Sequence, residues 1–456
     1  MEKTSIDSNY KTIKMLPLCI AVLLFCVLLN YPIFQNQQAQ KALALLVLVA
    51  VLWMTEAIPL SLTGLMIPVI AVFLNLAPAE DSFKEFAHPI IFLFMGGFVI
   101  AGTLTRYGLD KIIAHRLITL AKGNFYKASI FLMLATSLSA CWVSNTAASA
   151  MMIPLGIGLL GLLKVKVITA ESKFLILGIA YSANIGGVIT MIASPPNAIG
   201  AAVLGLSFSE WIKYSIPIFL LTFPLMVMIL TLYFKPDRKM RIGQIDILSE
   251  QNIPYKTIIA IFVFTVTLWM TDSVIAPLLN ISGSFSSLVA LVAVFLIYAT
   301  GVLNWKEIMN SIRWEVLLLF GGGLTLGMLI DRSGLGILLV NEIVELMTIV
   351  PLFLFLWIIV IFSIVLTEFM SNTASAALIL PLLFTLSTQI GINPMVLVFP
   401  ATIAASYGFM LPAGTPPNAL AYSSGLVPQK DMMKVGFVLN FLFSLILTVF
   451  FYFIFS

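Results

Sequence analysis

Residues 128–163 read ASIFLMLATSLSACWVSNTAASAMMIPLGIGLLGLL, an apolar stretch with no charge and with Ser144-Asn145-Thr146 at its midpoint. Wound as one helix it would be about 54 Å long at 1.5 Å per residue, against a bilayer core of roughly 30 Å. It is too long to cross once and too polar at its centre to face lipid. Two arms meeting at a polar tip satisfy both constraints, so the stretch is read as a re-entrant hairpin that enters and leaves on one side. Polar, helix-breaking residues at bilayer depth are tolerated only where they are buried in protein or line a cavity.

The plan recurs. Residues 352–388, LFLFLWIIVIFSIVLTEFMSNTASAALILPLLFTLST, carry Ser371-Asn372-Thr373 at a second turn. Each hairpin is followed by another polar knot, Ser194-Pro195-Pro196-Asn197 in the apolar stretch 173–206 and Gly414-Thr415-Pro416-Pro417-Asn418 in 393–427. Both stretches are read as crossing helices interrupted in mid-membrane. A duplicated set of polar breaks points at a binding site built twice.

Composition sets the class. The chain is 61% hydrophobic and 10% charged, with a mean hydropathy of +1.09, where a soluble domain would carry about 25% charged residues. It is read as an all-α polytopic membrane protein. The longest hydrophilic block, near 235–256, is linker-sized, so no soluble domain is expected. Cys19, Cys26 and Cys141 fall in apolar runs and are read as packing residues, not as a disulfide framework or a metal site. Lys3, Lys11 and Lys14 precede an apolar run with no small-residue cleavage site, so that run is taken as a retained first span.

Further spans are expected near 15–33, 41–58, 60–77 and 88–105, with an interfacial amphipathic helix over 109–122 that carries Asp110, Lys111, Arg116 and Lys122. After the first hairpin and broken helix come spans at 212–234, 255–279, 285–303 and 314–330. A charged segment at 331–350 bears Asp331, Arg332, Glu342 and Glu345, and the last span is 433–455. The halves align at a nearly constant offset. Trp53-Met54-Thr55-Glu56 matches Trp269-Met270-Thr271-Asp272, Gly96-Gly97 matches Gly322-Gly323, Arg106-Tyr107-Gly108-Leu109 matches Arg332-Ser333-Gly334-Leu335, and 144–155 matches 371–382. Ordered self-similarity of this kind marks an internal repeat. Four segments follow: 1–122 and 241–350 as two parts of a scaffold domain, and 123–240 and 351–456 as two parts of a transport domain.

With the N-terminus in the cytoplasm and about eleven transmembrane helices, only Lys41, Lys84, Lys213 and Arg332 of the 24 lysines and arginines lie outside. The positive-inside rule selects that orientation, with the C-terminus outside. Each repeat then has an odd number of crossings, so the second is inverted and the hairpins approach the midplane from opposite sides. Inverted repeats with discontinuous helices meeting at mid-membrane are the signature of a secondary transporter.

No Lys or Arg occurs between Lys127 and Lys164 or between Arg332 and Lys430. An anion held there must use hydroxyls, amides and backbone N–H groups. Ser, Asn and Thr are preferred N-cap residues, so each returning arm points a helix N-terminus, worth roughly half a positive charge, at its tip. Two such ends favour a carboxylate without neutralising a dianion, and bound cations would supply the rest. Unwound carbonyls with Ser, Thr and Asn oxygens are hard ligands suited to sodium. These groups imply cation-coupled uptake of a small anion.

At these motifs the chain resembles the divalent anion/sodium symporter family of dicarboxylate transporters, over essentially its whole length. The resemblance implies that Ser144, Asn145 and Thr146 hold one carboxylate of a C4 dicarboxylate (succinate, fumarate or malate) and Ser371, Asn372 and Thr373 the other, with Ser194, Thr415 and Pro416 beside it. It further implies two sodium sites, at Ser144, Asn145 and Ala193 and at Thr367, Met370, Asn372 and Gly414. A homodimer with an elevator mechanism, in a bacterial inner membrane, comes with it, and no organic cofactor or nucleic-acid partner does. The first knot departs from the pattern, reading Ala193-Ser194 where the family more often has Gly-Thr. Sodium-independent dicarboxylate exchange, or transport of citrate or sulfate, are the alternatives.

Other residues have plainer readings. Glu368, buried by position, is a functional candidate by default or a brace for the second hairpin. Glu56 and Asp272 are read as structural, and His88 and His115 as solvated interface residues. Gly96-Gly97 and Gly321-Gly322-Gly323 are read as close helix packing, and 235–241 as a topology determinant. An intramembrane hydrolase using Ser144 or Ser371 would need a nearby base, for which only Glu368 could serve. A channel is the other rival.

Overall fold

Ser144 caps a helix as its residue type requires: its hydroxyl accepts the Ala147 N–H at 3.3 Å, and 18 residues of helix follow to Leu162. The computed structural model describes residues 14–31, 33–163, 168–242, 255–281, 284–339 and 350–455. The expected Glu342 and Glu345, and most of the linker near 235–256, lie outside them. Within the described residues the regular structure is helical, apart from one isolated bridge between Asn124 and Arg241.

The first half runs α1 (Met15–Asn30), α2 (Gln37–Thr55), α3 (Leu60–Phe73), α4 (Ala79–Lys84), α5 (Pro89–Arg106) and α6 (Leu109–Thr119). Its hairpin is α7 (Phe125–Ala140) and α8 (Asn145–Leu162), and its broken helix is α9 (Ala170–Gly186) and α10 (Pro195–Leu204), followed by α11 (Phe208–Phe234). The second half holds α12 (Tyr255–Met270), α13 (Asp272–Leu278), α14 (Phe285–Ala299), α15 (Trp305–Ser311) and α16 (Trp314–Arg332). Then come the hairpin α17 (Leu352–Phe369) and α18 (Asn372–Gln389), the broken helix α19 (Val398–Ala404) and α20 (Pro416–Ser423), and α21 (Gln429–Phe455).

Seven described helices are long and apolar enough to cross a membrane, and α12 with α13 makes an eighth if that bent pair is one span. The expected single span at 255–279 is corrected: the chain turns by 80° between α12 and α13. The cause is Asp272, a buried carboxylate that accepts hydrogen bonds from Ser209 and, at 3.3 Å, from Ser286. It sits in the first turn of α13, where a negative charge is favoured.

The repeat is written in hydrogen bonds and close packing. Trp53 donates its indole N–H to the Leu60 carbonyl at 3.3 Å, and its mate Trp269 donates to Ser286 at 2.9 Å. Arg106 pairs with Glu307 at 2.5 Å, and the mated residues reversed, Arg332 with Asp81, pair at 2.5 Å. The Asn304 backbone N–H foremost, and then the Arg106 guanidinium, hold the Glu307 carboxyl below its usual range. A Cβ on Gly96 would sit 2.6 Å from Ala290, and one on Gly322 would sit 2.5 Å from Gly64. Thus α3 packs on α16, and α5 on α14. Each repeat completes its packing on the other, and the glycine clusters serve close helix approach as their sequence suggests.

Candidate functional site

Proline explains where the half-helices begin. It lacks an N–H and is pre-organised for a first turn, and α10 and α20 each start on a Pro-Pro pair. The preceding segments, 187–194 and 405–415, are unwound. One asparagine staples each of them. Asn197 donates its amide to the carbonyls of Gly187 and Thr190, both at 2.8 Å. Asn418 donates to Gly408 at 2.8 Å and Leu411 at 3.1 Å. The four acceptors are mates, so the two breaks share one construction.

The first tip presses on the first break. The Asn145 amide lies directly against Gly187, where no side chain would fit, and the Thr190 hydroxyl donates to the Cys141 carbonyl. Several buried oxygens here have no hydrogen-bond partner: Asn145 Oδ1, Asn184 Oδ1, Ser194 Oγ and Asn197 Oδ1. Buried polar atoms are normally paired, and each exception calls for an explanation. Three of the four are amide oxygens, which can only accept.

The second tip is built differently. Ser371 makes no side-chain cap. Asn372 Oδ1 lies 2.6 Å from the Thr367 hydroxyl, which also reaches the Ala405 carbonyl at 2.7 Å. Thr415 caps α20 by accepting the Asn418 N–H at 3.3 Å. Glu368 occupies the place that Cys141 holds in the first repeat. Its carboxylate accepts the backbone N–H of Met410 at 2.7 Å and of Leu411 at 2.9 Å, and the Asn440 amide at 2.8 Å. Of the two readings open for Glu368, bracing is the one these bonds describe. It ties α17 to the second break and to α21, and none of its bonds goes to Ser371.

The repeats interlock at this level. The half-helix α10 packs on α18, and α20 packs on α8 and α9. Asn184 links the halves by donating to Thr415 Oγ1 at 3.0 Å and Asn418 Oδ1 at 3.4 Å. Among the described residues no hydrogen bond joins the two Ser-Asn-Thr tips directly. Thr146 and Thr373 lie half-buried in the first turns of α8 and α18, Met370 is buried at the second tip, and Ala193 and Ser194 close the first break. Access is one-sided: 187–194 is buried throughout, whereas Ala413 and Pro416 are exposed.

The four helices that start here, α8, α10, α18 and α20, contain no charged residue. Their N-termini together present partial positive charge beside oxygen acceptors. Among the described residues no three His, Cys, Asp or Glu gather into a metal-binding group. Sequence reading missed Asn184, Thr190 and Asn440, for which the available signal was a polar residue inside a charge-poor span. His88 caps α5 by accepting the Ile90 N–H at 3.3 Å. His115 Nε2 is buried without a partner, unlike the solvated residue expected there.

The family described as citrate transporter (CitMHS) matches residues 50–403. A Haemophilus influenzae protein described as an uncharacterized transporter is 42% identical over 92% of this chain and 92% of its own length. The sodium-dependent dicarboxylate transporter SdcS of Staphylococcus saprophyticus is 31% identical over 98% of this chain and 92% of its own length. Among solved structures, the YdaH transporter of Alcanivorax borkumensis aligns with a TM-score of 0.59 and 15% identity, covering 96% of this chain and 98% of that one. That last likeness concerns the fold alone.

Proposed function

This chain belongs to the divalent anion/sodium symporter family of membrane transporters, and on that premise we propose that it couples sodium entry to uptake of a C4 dicarboxylate. The observation that carries the proposal is the mated pair of breaks, each stapled by one asparagine beside a Ser-Asn-Thr tip, with no charged residue in the four helices that begin there. Two mated half-sites suit a ligand with a carboxylate at each end.

One carboxylate is assigned to Ser144, Asn145 and Thr146 and the other to Ser371, Asn372 and Thr373, with Ser194, Thr415 and Pro416 alongside. The helix N-termini attract both carboxylates, but about half a charge each, shared among backbone groups, is weak compensation for a desolvated dianion. Sodium completes the balance. In the first repeat the unpartnered Asn145 Oδ1 supports a cation site with Ser144 and the Ala193 carbonyl. In the second, Thr367, Met370, Asn372 and Gly414 form its counterpart, with the Ala405 carbonyl drawn to Thr367. The names of the SdcS relatives favour dicarboxylate and sodium, and the citrate-transporter family keeps a tricarboxylate as the competing substrate. Alternating access by movement of segments 123–240 and 351–456 against the remainder, within a homodimer, is part of the same reading.

Radiolabelled succinate in proteoliposomes tests it. We expect accumulation against a gradient that requires inward sodium, with excess citrate a poor competitor. Uptake that needs preloaded succinate and ignores sodium would mean exchange, and preferential competition by citrate would move the substrate assignment. Asn145→Ala and Asn372→Ala should each abolish uptake while insertion and elution profile stay normal. Near-normal rates in both variants would reduce the tips to helix caps.

A further inference from the structure

Helices α7 and α11 both pack on α9, and between them runs a cavity of about 390 Å³. That is within the size range of small-molecule sites, roughly 300–1,000 Å³. Ile130, Phe223, Val227, Met228 and Leu232 line its apolar length. Met228 and Leu232 are exposed on this surface, as lipid-facing residues of a span are. At one end the lining changes character, to Tyr126, Thr231 and Arg238.

That polar end is rigidly built. The Tyr126 ring stacks on Phe174 with centroids 5.5 Å apart, and its hydroxyl lies 3.0 Å from Thr231 Oγ1. The Arg238 guanidinium stands 5.3 Å from the centre of the same ring. Its backbone is pinned on both sides: the Asn124 amide donates to the Arg238 carbonyl at 2.8 Å, and Phe125 N–H to Met240 at 3.0 Å. Lys127, in the first turn of α7, and Lys235 and Lys239, after the end of α11, are exposed. The neighbouring carboxylates each accept a backbone N–H. Asp237 accepts the Lys239 N–H at 2.8 Å, and Glu171 accepts the Asp237 N–H at 3.2 Å. Among the described residues no carboxylate forms an ion pair with Arg238, Lys127, Lys235 or Lys239.

We propose that this cavity holds an anionic phospholipid, with its phosphate at Arg238 and an acyl chain along α11 from Leu232 towards Phe223. Charge complementarity selects the occupant. An apolar trough at a bilayer edge accepts any acyl chain, but a guanidinium held over the Tyr126 ring, with no ion pair among the described residues, discriminates for a negative headgroup. The site is independent of the transported substrate.

Native mass spectrometry of the full-length protein, titrated with dioleoyl phosphatidylglycerol or dioleoyl phosphatidylcholine, tests the assignment. Phosphatidylglycerol should be retained in preference, and Arg238→Gln should cut that preference about fivefold, the worth of one basic residue at a membrane surface. Met228→Trp, which fills the trough and keeps Arg238, should weaken retention of both lipids, and it carries the test if Arg238→Gln does not fold. Equal retention of the two lipids by the wild type would overturn the proposal. So would an unchanged preference in Arg238→Gln, undiminished binding in Met228→Trp, or displacement by free glycerol phosphate.

Discussion

Gly414 and Ala193 are mated positions, and a single carboxylate makes them unequal. A Cβ on Gly414 would sit 2.6 Å from Glu368 Oε2. In the first repeat the mate of Glu368 is Cys141, whose thiol turns back to the Leu138 carbonyl at 2.9 Å. The position mated to Glu368 thus offers Ala193 a thiol in place of a carboxylate. Gly414→Ala should therefore destabilise by about 1–3 kcal/mol, the usual cost of overpacking, and suppress uptake, while Ala193→Gly should be nearly silent in thermal unfolding and transport. If both behave alike, Glu368 does not set the difference. Glu368→Gln replaces an acceptor with a donor against N–H groups that already donate. A loss of about 1–3 kcal/mol is expected from a buried group left unsatisfied, read as a lower unfolding temperature with reduced uptake. That Glu368 is buried was legible, because it stands in an apolar run. Its donors were not, since they lie 42, 43 and 72 residues away.

At the scale of elements, the hairpins were readable because an apolar length exceeded the bilayer, and length is local information. The extent of the breaks was not. Pro-Pro marks where α10 and α20 start, but the unwinding begins at Gly187 and Ala405, 8 and 11 residues before those pairs. What holds those segments open is a side chain further along the chain. Removing it should show in hydrogen exchange. Asn197→Ala frees the Gly187 and Thr190 carbonyls and should speed exchange in 187–194, leaving 408–415 unaffected, with Asn418→Ala giving the converse. Matched exchange in wild type and variants would mean that the breaks hold themselves. The bend at Thr271 was equally hidden, because the partners of Asp272 are serines on α11 and α14.

For the whole molecule, the internal repeat was legible from four matched motifs, and the structure extends it to contacts that no motif encodes. Arg106 with Glu307, and Arg332 with Asp81, are one interaction made twice with the donors exchanged between halves. Arg106 was read as inside and Arg332 as outside, which is how an inverted pair should fall. Such crossed contacts have a consequence for how the protein is made. During synthesis α3 and α5 enter the membrane long before α14 and α16 exist, so Gly64 and Gly96 wait with bare backbone surfaces facing lipid. The amino-terminal half is thus a half-finished product that quality control can recognise, and its survival depends on how quickly the second half arrives. A gene split within codons 243–254 should yield transport only when both fragments are co-expressed, and pulse-chase labelling should show the lone amino-terminal fragment degraded several times faster than the pair.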